Sequence, residues 1–256
     1  MSNLATLAQT VDEAARTATE IPQLTLAHPE LTVEDAYAIQ ALSLARRYAR
    51  GERRVGMKMG LTSRAKMAQV GVSEMIWGRL TDAMQVEEGS VVDLKRYVHP
   101  RVEPEVAFLL KAPLAGHVTP AQALAAVDAV APALEIIDSR YQDFKFALPD
   151  VVADNSSSSG FVVGGWRRPD TDVANLGLAL ELDGQARQVG STAAILGDPV
   201  RSLVAAARLV AQWGERLEAG WIVLAGGATA AEHLTPGVSV RLVMQELGSV
   251  AFQMGR

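Results

Sequence analysis

Three glutamates in apolar surroundings constrain this chain most. Glu103 and Glu105 flank Pro104 and lead into the apolar run 106–110, and Glu135 lies inside the apolar run 132–138. A carboxylate in such a run is drawn out of bulk water, and its burial is costly unless a cation, a proton or several hydrogen bonds compensate it. Three carboxylates in a chain without cysteine offer the oxygen-only donors that hard divalent ions such as Mg²⁺ or Mn²⁺ prefer.

The spacing of the glutamates indicates how they could meet. Glu103 and Glu105 are two residues apart, so on one strand both side chains face the same side of a sheet. Pro104 between them cannot donate to a sheet ladder, which predicts an edge or a bulge where a pocket opens. Glu135 would come from a neighbouring strand. Spacing alone leaves open that these are surface acids on an exposed strand face.

Composition excludes several classes of protein. The chain has 256 residues, 49% of them hydrophobic, a net charge of −5 and a pI near 5.5. It has material for a packed interior and no clustered basic face for nucleic acid. Cysteine is absent, so disulfides and thiolate chemistry are excluded. The N-terminus lacks the pattern of a signal peptide, and the longest apolar run, 221–231, is too short to span a bilayer. These features predict a cytoplasmic protein that binds neither membrane nor nucleic acid.

Hydrophobic periodicity predicts a helical N-terminal segment, residues 1–54, followed by a β-rich core, residues 55–256. Helices are expected over 4–20 and 32–50 in the first part, and over 62–69, 119–130 and 199–213 in the second. Asp183-Gly184 between two alternating runs predicts a hairpin. The predicted strands are 55–59, 101–110, 133–137, 160–164, 176–182, 186–189, 221–225, 238–244 and 249–253.

A few other polar residues have two interpretations each. Lys58 lies between Met57 and Met59 on a predicted strand, where it faces a pocket or extends along the surface to solvent. The cluster 154–157 is either part of a pocket or a capped turn. Gly226-Gly227 either allows close approach of the backbone to a ligand or marks a bulge. The four histidines are scattered, and none has metal-ligand spacing.

Several motifs in this order resemble the hydratase/decarboxylase branch of the fumarylacetoacetate hydrolase superfamily. They are KMGLTS at 58–63, RVEPEVAF at 101–108, EIIDSR at 135–140 and ADN at 153–155, followed by serines. The resemblance covers nearly the whole chain, including the two leading helices. It implies an α+β fold, with a β-rich core of mixed sandwich or barrel-like sheets behind the helical N-terminal segment.

The resemblance also implies an active site. Glu103, Glu105 and Glu135 would bind Mg²⁺, with Mn²⁺ as the alternative, and Lys58 would face an anionic substrate. Asp82 matches a pocket acid of the superfamily, although by itself it reads as a turn residue. Ser157 matches a pocket serine that hydrogen-bonds substrate or a metal-bound water. Sibling hydrolases use a Glu–His pair, and His99 lies outside any matching motif, which weakens a hydrolase interpretation.

Motifs at 60–69 and 138–146 are closer to the decarboxylases of this branch than to its hydratases. They imply decarboxylation of 2-oxo-3-hexenedioate to 2-hydroxypenta-2,4-dienoate in meta-cleavage catabolism of catechol-type aromatics. Hydration of 2-oxopent-4-enoate is the alternative, followed by a non-catalytic metal-binding subunit that stabilises the hydratase. The expected partners are the 2-oxo dicarboxylate, the hydratase and further copies of this chain. The apolar, water-excluding surface around the departing carboxylate would consist of Met67, Val70, Val72, Met75, Ile76 and Trp77.

Overall fold

The computed structural model describes residues 4–63 and 74–256, which form two β-sheets with helices packed against them. The helices are α1 (Leu4–Thr17), α2 (Leu24–Ala27), α3 (Val33–Ala49), α4 (Pro120–Ala125), α5 (Leu148–Ala153) and α6 (Pro199–Ala211). The strands are β1 (Arg54–Gly60), β2 (Ile76–Thr81), β3 (Gln85–Val86), β4 (Val91–Val92), β5 (Arg101–Leu110), β6 (Val127–Ile137), β7 (Ser158–Val163), β8 (Gly177–Leu182), β9 (Gln185–Ser191), β10 (Ile222–Leu224), β11 (Glu232–His233), β12 (Ser239–Met244) and β13 (Gly248–Met254).

The larger sheet has eight strands and holds the glutamates. Its order is β2-β1-β10-β5-β6-β7-β3, and β11 pairs with β5 beyond the end of β10. The smaller sheet, β4-β13-β12-β8-β9, packs against the larger one where β12 and β13 contact β6. This arrangement confirms the predicted α+β class with mixed sheets.

Pro104 lies in the interior of the larger sheet, so the predicted sheet edge is wrong. Strand β5 pairs with β6 along its whole length, and Pro104 is opposite Leu134. On its other side, β5 pairs with β10 at residues 107–109 and with β11 at residues 101–102. The chain that connects β10 to β11 does not continue the strand pairing, which leaves a gap beside residues 103–106. The carbonyl of Pro104 faces that gap and accepts a hydrogen bond from Ala228 N, so its missing N–H removes no bond from the β5–β6 ladder.

The N-terminal helices pack on the core through polar contacts as well as apolar ones. Thr32 caps α3 in a capping box with Asp35, as the sequence predicts. Asp12 of α1 is 1% exposed and accepts hydrogen bonds from Arg46 Nε at 2.8 Å and from both terminal nitrogens of Arg50. This cluster joins α1 to α3. The division of the chain at residue 54 remains a prediction.

Several element bounds differ from the predictions. The helix expected over 119–130 ends at Ala125, because the chain turns at Ala126 and continues as β6 from Val127. The strand expected at 133–137 is therefore eleven residues long. The hairpin at Asp183-Gly184 forms with positive φ at both residues, as predicted. The helix expected over 62–69 lies mostly outside the described residues. Within the described ranges, no helix is both long and apolar enough to cross a membrane.

Replacing Asp12 with Asn should destabilise the protein by about 1–3 kcal/mol, because two arginines lose a charged acceptor. The adjacent arginines hold the pKa of Asp12 below its ordinary value despite its burial. A lowered folded-state pKa gives stability that is present above the unfolded value and is lost as pH falls through the folded one. The loss in the variant, measured by urea unfolding, should therefore shrink in strong acid. An equal loss at all pH values would contradict this explanation.

Candidate active site

Pairing of β5 with β6 brings the three glutamates together. Glu103 lies directly opposite Glu135 in the antiparallel register, and Glu105 is on the same face of β5 two residues further on. One carboxylate oxygen from each residue lies within 4.8 Å of the others. Glu105 and Glu135 are fully buried, and Glu103 is partly exposed. The shared face of Glu103 and Glu105 agrees with their spacing, and the contact with Glu135 agrees with what the resemblance implies.

Burial and mutual repulsion make these carboxylates poor anions in isolation. Burial raises the pKa of Glu105 well above its ordinary value, and the charges of Glu135 and Glu103 add to this effect. Burial likewise raises the pKa of Glu135, although Lys58 opposes it. Glu105 Oε2 accepts a hydrogen bond from Gly226 N at 2.6 Å. Glu105 Oε1 and Glu135 Oε1 have no hydrogen-bond partner among the described residues, so both oxygens are available to a cation.

Lys58 on β1 is the cation next to this cluster. It is 4% exposed, its Nζ lies 3.1 Å from Glu135 Oε2, and it donates to the carbonyl of Ser156 at 2.9 Å. Burial acts to lower the pKa of Lys58, but the carboxylates of Glu135, Glu105 and Glu103 together raise it. Lys58 therefore keeps its proton, and it is a buried ion-pair partner instead of a surface lysine.

Gly226 and Gly227 make room for the site in the gap between β10 and β11. A Cβ atom on Gly227 would lie 2.6 Å from Glu103 Oε2, and one on Gly226 would lie 2.1 Å from Thr62 Oγ1. Gly226 also has φ +103°, in the region that favours glycine. The pair thus seats the carboxylate of Glu103 and orients an N–H toward Glu105. Sequence reasoning noted both glycines but not this purpose.

A left-handed turn forms the opposite wall. Asn155, Ser156 and Ser157 have φ values of +50°, +52° and +60°, which is strained for residues with a Cβ. Hydrogen bonds hold the turn in place: Asn155 Oδ1 accepts from Arg79 N at 2.8 Å, and Ser156 Oγ donates to the Trp77 carbonyl at 2.8 Å. The turn directs the Ser156 carbonyl to Lys58 and places Ser157 in the cavity wall.

Glu103 and Lys58 line a cavity of about 500 Å³, and the rest of its wall is mostly apolar. Ile76 lines this cavity, as expected, but Met75 and Trp77 do not; these three line a neighbouring cavity with Tyr37 and Trp213. Trp77 alternates to the other face of β2 because strand side chains have a period of two. Met67, Val70 and Val72 lie outside the described residues. The apolar wall consists of Leu61, Ile76, Ile137, Phe144, Phe146, Leu148, Val151, Ala230 and Ala231.

The expectation that Asp82 is a pocket acid is corrected by its position. Gly78 is opposite Lys58, and Asp82 follows the far end of β2, about 13 Å further along the strand. Its carboxylate accepts from the backbone N–H groups of Arg53 and Ala83, at a turn where Arg53 is also an ion-pair partner. His99 is likewise outside the cavity lining, with its Nε2 3.3 Å from Glu20 Oε2.

Sequence reasoning missed Arg101, which lines the cavity next to Glu103. It begins β5, and its position two residues before Glu103 places it on the same face of the strand. That spacing was the available signal, because the residue forms part of the RVEPEVAF motif.

The residues present fit a divalent cation. Three carboxylates and one ammonium leave two excess negative charges (−3 and +1) when all are ionised. The donors are all oxygen, two buried carboxylate oxygens lack hydrogen bonds, and the cluster opens into a cavity. Mg²⁺ and Mn²⁺ favour this chemistry, whereas sites for Zn²⁺ more often use nitrogen or sulfur.

Comparison with known proteins agrees with this fold. Residues 46–254 match the family model described as fumarylacetoacetate (FAA) hydrolase C-terminal, and the chain belongs to the fumarylacetoacetate hydrolase family. Within that family it is 63% identical to a 4-oxalocrotonate decarboxylase from Pseudomonas sp., over 96% of each chain.

Two further relatives are informative. A 2-hydroxyhexa-2,4-dienoate hydratase from Comamonas testosteroni is 38% identical, over 97% of this chain and 96% of its own length. The solved structure of 4-oxalocrotonate decarboxylase from Pseudomonas putida G7, complexed with magnesium and adipate, superposes with a TM-score of 0.95. Its sequence identity is 41%, and the match covers 98% of this chain and 97% of that one.

Replacing Gly227 with Ala should weaken Mg²⁺ binding by about tenfold or more, because the new methyl group displaces the carboxylate of Glu103. Gly165→Ala is the matched control, since a Cβ there meets nothing within 4 Å. Isothermal titration with Mg²⁺ measures both affinities, and circular dichroism checks that each variant is folded. Unchanged affinity in Gly227→Ala would show that Glu103 is not a ligand.

The stabilisation by Mg²⁺ should grow as pH rises from mildly acid to neutral. The pKa values of Glu105 and Glu135 are raised in the folded state, so protonation of these carboxyls stabilises the folded, metal-free protein at low pH. This stabilisation is lost as the pH rises through the folded-state pKa values. A bound dication replaces the protons, so it has most effect where the carboxyls are ionised. Thermal melting with and without saturating Mg²⁺ tests this, with Glu105→Gln as the variant that should flatten the trend.

Proposed function

We propose that this protein decarboxylates 2-oxo-3-hexenedioate to 2-hydroxypenta-2,4-dienoate and CO₂, with Glu103, Glu105 and Glu135 as ligands of Mg²⁺. The observation that carries the proposal is a triad of carboxylates, two of them fully buried, with a lysine beside Glu135, where Glu103 and Lys58 line a mainly apolar cavity. The cavity volume suits a six-carbon diacid. The meta-cleavage degradation of catechol-type aromatics is the proposed context.

The reaction needs an electron sink at the 2-oxo end of the substrate. At the other end, the negatively charged carboxylate is lost as neutral CO₂. Cleavage of the C5–C6 bond releases CO₂, and the bond's electron pair forms C4=C5 as the C3=C4 pair moves to C2=C3. The charge then resides on the 2-oxo oxygen, which takes up a proton to give the 2-hydroxydiene. Bound Mg²⁺ would supply Lewis-acid stabilisation of that charge.

Lys58 and Ser157 are the further catalytic residues we propose. Lys58 has a raised pKa, and its ammonium lies beside Glu135, so it stabilises negative charge at the 2-oxo end electrostatically. The proposed reaction does not require Lys58 to act as a base. Ser157 faces the same cavity from the left-handed turn and orients the substrate or a water molecule by hydrogen bonding.

The distal wall favours decarboxylation over hydration. Apart from Arg101, the side chains that line it are apolar (Ile137, Phe144, Phe146 and Leu148), and an apolar surface favours release of neutral CO₂ over retention of a carboxylate. A hydratase would need a water and an acid at that place, and Asp82 is remote from it. Hydration of 2-oxopent-4-enoate remains the alternative activity, because a relative named as a hydratase matches 97% of this chain.

We also propose association with a 2-oxopent-4-enoate hydratase and a cytoplasmic location. The decarboxylation product is the substrate of the hydratase, so contact between the enzymes would shorten its transfer. A homo-oligomer is compatible with the same role. Co-purification from cells that express both proteins would test the association.

Incubation of the Mg²⁺-loaded protein with 2-oxo-3-hexenedioate should release CO₂, measured manometrically or by coupled assay. Lys58→Met should lower kcat/KM by about 100-fold or more, because the developing charge loses its buried cation. Lys145→Met is the control, since that side chain is 72% exposed and pairs with Asp143. Rapid hydration of 2-hydroxypenta-2,4-dienoate without CO₂ release would instead establish the hydratase.

A further inference from the structure

A second cationic side chain, besides Lys58, lines the cavity. Arg101 is on the same face of β5 as Glu103 and Glu105, and its neighbour across the ladder is Ile137. The guanidinium carbon lies 3.9 Å from the centroid of the Phe144 ring, and Nε is buried without a hydrogen-bond partner among the described residues. A buried donor on a permanent cation favours an anionic ligand, because its own hydration is already lost.

We propose that Arg101 binds the distal carboxylate of the substrate and makes the cavity selective for 2-oxo dicarboxylates over 2-oxo monocarboxylates. This inference rests on the proposed function, since it assumes that the 2-oxo acid end occupies the glutamate site. Arg101 is thus a specificity-determining residue that contacts substrate at the end opposite to the electron sink.

The span between the two sites matches a six-carbon diacid. Arg101 and Glu103 are separated by about 6.6 Å along the strand. Five carbon–carbon bonds of about 1.5 Å separate C1 from C6, which gives about 6 Å in an extended chain. A six-carbon diacid is therefore long enough to extend from the glutamates to the Arg101 side of the cavity.

The surroundings of Arg101 suit one carboxylate. Phe144 supports the face of the guanidinium plane, and a carboxylate can approach its N–H edge. Lys58 is less suited to this role, because Glu135 and the Ser156 carbonyl already engage its ammonium. Among described residues that line the cavity, Lys58 and Arg101 are the lysines and arginines present.

The chemistry predicts how the contact affects kinetics. Arg101 attracts the carboxylate before the reaction, and the attraction fades as that group becomes neutral CO₂. A contact of this kind contributes to ground-state binding and gives no advantage to the transition state. Loss of Arg101 should therefore raise both KM and kcat for 2-oxo-3-hexenedioate and change kcat/KM little.

The test compares two unreactive analogues that differ only at the distal end. The 2-oxoadipate ion carries the second carboxylate, and 2-oxohexanoate has a methyl group in its place. Their affinities for the Mg²⁺-loaded protein are measured by isothermal titration in wild type, Arg101→Met, Arg101→Lys and the surface control Arg168→Met. Arg168 is 84% exposed and pairs with Asp170.

Arg101→Met should weaken 2-oxoadipate binding by about tenfold or more and leave 2-oxohexanoate within about twofold, because one charge-assisted contact is lost. Arg101→Lys should lie between wild type and Arg101→Met for 2-oxoadipate. Equal losses for both analogues, or no loss for either, would overturn the inference. The affinities need no turnover, so a wild type that releases no CO₂ refutes the proposed decarboxylation without deciding the role of Arg101.

Discussion

The pairing of Glu103 with Glu135 across β5 and β6 is the contact on which the site depends. Like charges placed opposite each other in a sheet are destabilising, and full burial of Glu105 and Glu135 increases that cost. Lys58 offsets one charge of the three. The remaining excess explains why Glu105 Oε1 and Glu135 Oε1 lack hydrogen bonds to the described residues, and why a dication would complete the structure as well as the chemistry.

The surrounding backbone is irregular where this cluster needs space. β10 ends at Leu224, and the chain passes through Gly226 and Gly227 before β11 resumes pairing with β5. On the other side, the left-handed turn at Asn155–Ser157 directs a carbonyl to Lys58. Both irregular segments face the cavity, while the β5–β6 ladder between them is continuous from Arg101 to Leu109. The three consecutive left-handed residues Asn155, Ser156 and Ser157 are thus a strained segment that shapes the site, as is common in functional sites.

Sequence predicted the elements and the three glutamates well because local patterns determine them. The period of two placed Glu103 and Glu105 on one face, and the cap residue Thr32 marked the start of α3. Tertiary features were not accessible in the same way. Pro104 signals a missing donor, but only the break between β10 and β11 shows how an interior strand accommodates it. Asp82 matches a motif, yet its role depends on its distance along β2 from the position opposite Lys58.

The N-terminal helices contribute to the same site through buried polar contacts. Gln40 of α3 is fully buried and donates to the carbonyls of Trp77 at 3.1 Å and Val152 at 2.8 Å. The Trp77 carbonyl also accepts from Ser156 Oγ, and the Ser156 carbonyl accepts from Lys58. One chain of contacts therefore runs from α3 through β2 and the left-handed turn to the lysine beside Glu135. Because a strained turn persists only where its surroundings fix it, the helical segment helps to position Lys58 in addition to covering the core.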